Sequence, residues 1–126
     1  MSIMTWEEAL IEITKSITKG LKLDKAANYG RPVLEVPPFP GTTYDFNGED
    51  SYKVRIGSDS HIEIPISMLR NCFLTARENG GIYNTSTLYS LYPEQVKKHG
   101  GYVHVIGRIF EIAGVANKIK SGYALR

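Results

Sequence analysis

The chain has 126 residues, 42% of them hydrophobic, and a formal net charge of +2, which suits one compact domain with its own core and is too little for two independent ones. No apolar run approaches the ~18 residues that a membrane span requires, and the N-terminal segment is amphipathic and acid-containing where a signal peptide is unbroken and apolar; a cytoplasmic protein with no membrane partner is expected. A single cysteine, Cys72, leaves no internal disulfide and sits in an apolar helical pattern, as a small buried hydrophobe does.

Thr5-Trp6-Glu7-Glu8 fits a capping box, in which the threonine hydroxyl and the glutamate carboxylate satisfy backbone N–H groups at a helix start. Trp6, Ala9, Leu10, Ile13, Ile17 and Leu21 follow at helical spacing and predict a helix over about 6–19 with one apolar stripe. That stripe is expected to pack on the rest of the domain; the alternative is a protein partner, or a homodimer made through this helix and its copy. Residues 28–50 carry four of the six prolines, together with Gly30, Gly41 and Gly48. Proline fixes φ and lacks a donor, so an irregular arm is expected, with extended pieces near Val33 to Val36 and Tyr44 to Phe46.

From Tyr52 the period becomes two. Tyr52, Val54 and Ile56 alternate with Lys53 and Arg55, and His61-Ile62-Glu63-Ile64 follows a Gly57-Ser58-Asp59-Ser60 turn, predicting a hairpin with one apolar face. Pro65 suits the first position of a helix, whose stripe is Leu69, Cys72, Phe73 and Ala76 and whose stop is Asn79-Gly80-Gly81. Asn84 is an N-cap for a short second helix carrying Leu88, Leu91 and Tyr92; Pro93 restarts a turn through Val96 to His99 before Gly100-Gly101 breaks the chain. A final helix over about 102–113 sets Val103, Ile106, Ile109, Phe110 and Ala113 on one face and His104, Arg108 and Glu111 on the other. Gly114 stops it, and short basic strands flank a two-residue loop at Ser121-Gly122. The predicted class is α+β, one domain in which an N-terminal helix, arm and hairpin (1–65) pack on a three-helix unit with its own small hairpin (66–126).

Charge is distributed unevenly. Residues 1–65 hold seven Lys/Arg against ten Asp/Glu, a net of −3, and residues 66–126 hold eight against three, a net of +5. Basic clustering of this kind is the footprint of phosphate binding, or simply of a soluble surface.

The three short helices with glycine stops and the ending Lys118-Ile119-Lys120-Ser121-Gly122-Tyr123 make residues 66–126 resemble the winged-helix (winged helix-turn-helix) superfamily. In its DNA-binding members the third helix enters the major groove and the wing touches the flanking backbone. The resemblance therefore implies DNA contacts by His104 and Arg108 from the helix, by Lys118, Lys120 and Arg126 from the wing, and by Lys97, Lys98 and His99 ahead of the helix. Arg108 is the only permanent cation on that helix face and Glu111 shares it, so backbone contact is expected over base readout. Winged helices also serve as protein-interaction modules, which is the alternative function.

Other chemistry finds little footing. Asp45, Glu49, Asp50, Lys53, Asp59 and Glu63 are residue types a nuclease uses, but they lie in turn contexts without a suitable strand motif. Cys72, His61, His99 and His104 lack zinc-ligand spacing. Neither Gly80-Gly81 nor Gly100-Gly101 is followed by the Lys-Ser/Thr of a phosphate loop. No enzyme, no metal and no cofactor is expected. A third reading is a small-molecule sensor whose cleft is lined by Phe39, Tyr44 and Phe46 under the proline-rich arm.

Overall fold

A computed structural model of the chain describes residues 3–23, 32–36, 51–56 and 60–126. The extended piece expected at Tyr44 to Phe46 and the cleft expected around Phe39, Tyr44 and Phe46 lie outside the described residues.

Thr5 caps α1 (Trp6–Ser16): its hydroxyl accepts from the Glu8 N–H at 3.2 Å, and the Glu8 carboxylate accepts from the Thr5 N–H at 2.9 Å. The helix ends three residues earlier than periodicity predicts, because Ile17 leaves it in an extended conformation. Ile17 and Leu23 stay buried all the same, so apolar spacing alone does not reveal where the helix stops.

β1 (Val33–Glu35), β2 (Ser51–Arg55) and β3 (His61–Pro65) form an antiparallel sheet in that order. Tyr52 pairs with Ile64 and Val54 with Ile62, and these four bury the inner face. On the outer face Lys53 lies opposite Glu63 and forms a 2.9 Å ion pair with Glu35 of β1. Pro65 closes β3 and caps α2 (Ile66–Glu78), one position before the place its sequence context predicts.

The α2 stripe of Ile66, Met68, Leu69, Cys72, Phe73 and Ala76 is buried. Gly80 and Gly81 turn the chain with φ of +83° and +79°, and the Gly81 N–H returns to the Ala76 carbonyl at 2.8 Å, a left-handed helix closure. β4 (Ile82–Tyr83) follows and is too short for any period to announce. Asn84 then caps α3 (Thr85–Leu91) reciprocally with Thr87, Pro93 opens α4 (Pro93–Lys98), and α5 (Gly101–Ile112) leads to β5 (Ala116–Ile119) and β6 (Gly122–Leu125). The second sheet has the order β4-β6-β5, all antiparallel. Its hairpin loop is Lys120-Ser121, one residue earlier than expected, because Gly122 already pairs with Ile119.

One buried cluster runs through both parts of the chain. A row of rings marks it: Trp6 to Phe73 at 5.8 Å, Phe73 to Phe110 at 6.5 Å and Phe110 to Tyr83 at 5.6 Å between centroids. Polar ties reinforce the join. Arg77 donates to the carbonyls of Met4 and Arg126 at 3.0 and 2.7 Å, and Arg108 Nε donates to the Leu23 carbonyl at 2.7 Å. Among the described residues no helix is long and apolar enough to cross a membrane.

Candidate functional site

Two glycines set the terminal hairpin against α5. A Cβ on Gly107 would overlap the Tyr123 ring, and one on Gly122 would overlap the Tyr83 carbonyl and crowd Asn84. Without side chains at these two points, β6 lies flush on the helix and on β4. The Tyr83 hydroxyl then donates to the Val103 carbonyl at 3.0 Å and fixes the first turns of α5 relative to the sheet. Burial, with smaller contributions from Cys72 and Tyr123, drives the Tyr83 phenol well above its ordinary range, so it stays a neutral donor.

The result is an open cleft of about 420 Å³ between the start of α5 and the hairpin. Gly100, Val103 and His104 line the helix side, Lys118, Lys120 and Ser121 the hairpin side, and Asn84 and Thr85 the floor near α3. Lys118 sits over the Tyr123 ring, its ammonium 5.0 Å from the centroid, and donates to the Ile119 carbonyl at 2.8 Å. Both lysines remain exposed. Charge held over an aromatic face and left in contact with water is available to an anionic ligand.

Of the residues that the sequence nominates, His104, Lys118 and Lys120 meet at this cleft, and Lys97 and Lys98 stand exposed at the end of α4, three and two positions ahead of Gly100 on its rim. Arg108 and Arg126 are placed elsewhere. Arg108 belongs to the half of α5 covered by the N-terminal segment, where its guanidinium binds the Leu23 carbonyl and the Glu111 carboxylate. Arg126 follows β6 at the far end of the hairpin from Lys120-Ser121, and donates to Asn117 at 2.8 Å. The expected two-faced α5 is also modified: Tyr102, Val105, Ile106, Gly107, Ile109 and Phe110 are all buried, while Val103 is half-exposed at the cleft. The sheet packs on one flank and the N-terminal segment on the other, so little of this helix faces outward.

Asn84, Thr85, Ser121 and Tyr123 are cleft residues that sequence reasoning missed as site residues. Asn84 was legible only as a cap, and its position beside the hairpin depends on the close approach at Gly122.

Catalytic groups are not gathered here. Burial pushes the Cys72 thiol up to about 12, which leaves it protonated and inert. Among the described residues no three of His, Cys, Asp or Glu are placed to hold a metal ion. Five helices and two small antiparallel sheets, among the described residues, define an α+β protein with a basic cleft between helix and hairpin. Compared with protein-family models, with curated proteins and with solved structures, the chain finds no match.

Proposed function

We propose that the protein binds DNA mainly through the phosphate backbone, with residues 66–126 acting as a winged-helix-like unit. Its support is the order α2-β4-α3-α4-α5-β5-β6, helices followed by a terminal hairpin, with sheet order β4-β6-β5. The observation that carries the reading is the basic cleft, in which Lys118 and Lys120 of the hairpin stand across from His104, with Lys97 and Lys98 beside the rim. Base readout is a small part of it. Arg108 is engaged within the protein, and α5 offers the cleft little beyond Val103 and His104, whereas groove reading calls for several long polar side chains.

Counterion release makes the reading quantitative. If four lysines each neutralise one phosphate, affinity for a random duplex falls roughly a hundredfold between about 50 and 200 mM salt. The double substitution Lys118→Ala/Lys120→Ala is expected to lower the log–log salt slope by about 1.8, while Lys15→Ala, on the exposed side of α1, leaves it unchanged. Fluorescence anisotropy of a labelled duplex reads both. A double variant that binds like the parent would remove the cleft from consideration.

A second reading, a protein-interaction module acting through α1, is favoured by Ile3 and Ile11, which are 63% and 57% exposed. In the same titrations it appears as no DNA binding at low salt, with self-association or partner capture that salt barely alters.

A further inference from the structure

We infer that the DNA track continues past the wing cleft, over the corner between α4 and α5, to the edge of β3, where Lys98, His99 and His61 form a second phosphate-contact site. This inference rests on the DNA-binding reading above and adds His99 and, from β3 outside the winged-helix-like unit, His61 to the Lys98 that reading already uses.

A second cleft of about 220 Å³ opens at that corner, where the first sheet meets the helices. Lys98 and His99 reach it from the end of α4, His61 and Glu63 from β3, and Tyr102 from the first turn of α5. It is held in shape from below: Tyr102 is almost fully buried, and its ring lies 6.4 Å from that of His99. Lys98, His99 and His61 are exposed around this fixed floor.

The donor set selects the ligand. An ammonium and two imidazoles converging on a small polar cleft suit a phosphate oxygen, since each offers an N–H donor. A metal cation is disfavoured by the adjacent Lys98 ammonium, and a single carboxylate provides no acid–base pair for catalysis. Glu63 is the one unfavourable charge in the lining; Lys53, which pairs with Glu35, stands across the strand from it and adds a weaker attraction.

Continuity joins the two clefts. His99 lines the corner and Gly100 lines the wing cleft, and consecutive α-carbons are only about 3.8 Å apart. A backbone that carries a charge every ~3.4 Å along each strand can therefore meet both sites in one pass.

The test is a titration of a labelled random duplex at several salt concentrations, comparing the parent protein, Lys98→Ala, His61→Ala/Lys98→Ala/His99→Ala, Glu63→Gln and Lys118→Ala/Lys120→Ala. Lys98→Ala alone is expected to lower the salt slope by about 0.9, as the first reading also requires, and the corner triple to weaken binding a further several-fold at about 50 mM salt. Glu63→Gln is expected to tighten binding several-fold, a gain that misfolding does not produce. If the wing double weakens binding while the corner triple binds as Lys98→Ala does and Glu63→Gln matches the parent, the second site falls and the wing reading stands. If the parent does not bind at about 50 mM salt, or the wing double binds as well as the parent, both fall together.

Discussion

Tyr52 and Cys72 show how burial fixes the chemistry of single residues. Each is held in its neutral form because removing it from water penalises the charge, and each has its proton affinity pushed up to about 12. The unfolded chain releases these protons near their ordinary values, about 10 for tyrosine and 8.5 for cysteine. The folded state therefore holds more protons than the unfolded state above about pH 9, and the sign of the linkage follows: stability is fully present below that point and is lost as pH rises towards 12. Thermal melts between pH 7 and 11 are expected to be level at first and then to fall steeply, and Cys72→Ala is expected to soften the onset. A melting temperature that held constant to pH 11 would show that these groups are not sealed from solvent. The same burial explains why Cys72 contributes packing on α2 and no reactivity.

At the scale of elements, α5 illustrates what a periodic pattern conveys. The capping box at Thr5, the Asn84 cap, the Gly80-Gly81 and Gly114 stops and the two hairpins were legible, because each is written in residues close together in the sequence, while the reciprocal bond between Thr87 and Asn84 was not. The helical wheel also separated His104, Arg108 and Glu111 from the main apolar stripe. It could not say what lies over each flank, and that was decided by contacts distant in sequence: Arg108 with Leu23, 85 positions away, and Arg126 with Arg77, 49 positions away. β4 was invisible because two residues carry no period, and the loop at Lys120-Ser121 was displaced by a close approach to β4 that only the folded chain defines. Arg108 thus acts as a strut between α5 and the segment after α1. Arg108→Ala is expected to cost about 1–2 kcal/mol of stability, measured by urea denaturation, while DNA affinity changes far less than in the Lys118→Ala/Lys120→Ala protein. A loss of affinity as large as that of the wing double would return Arg108 to the binding surface.

For the whole molecule, residues 66–126 and the described residues of the N-terminal extension share one core, with Trp6, Phe73, Phe110 and Tyr83 in a continuous row. The extension is therefore part of the structural support of α5, and through β3 it adjoins the corner beside the wing cleft. Its acidic balance, against the basic balance of residues 66–126, gives the protein a lopsided field that would orient its approach to a polyanion. The Arg77 tie has a consequence for the order of events in folding. Its guanidinium gathers the carbonyls of Met4 and Arg126, and the Met4 N–H itself donates to Arg126, so this clasp closes a loop of nearly the full chain length. Loop closure over such a span costs entropy that only the rest of the fold can offset, which places the clasp after the rate-limiting barrier. Arg77→Ala is accordingly expected to leave the refolding arm of a chevron plot unchanged and to raise the unfolding arm alone; a slower refolding arm would place the clasp inside the nucleus. The tie between Met4 and Arg126 then acts as a latch on the finished molecule, setting how long the fold persists and leaving the speed of its formation to the local helices and hairpins.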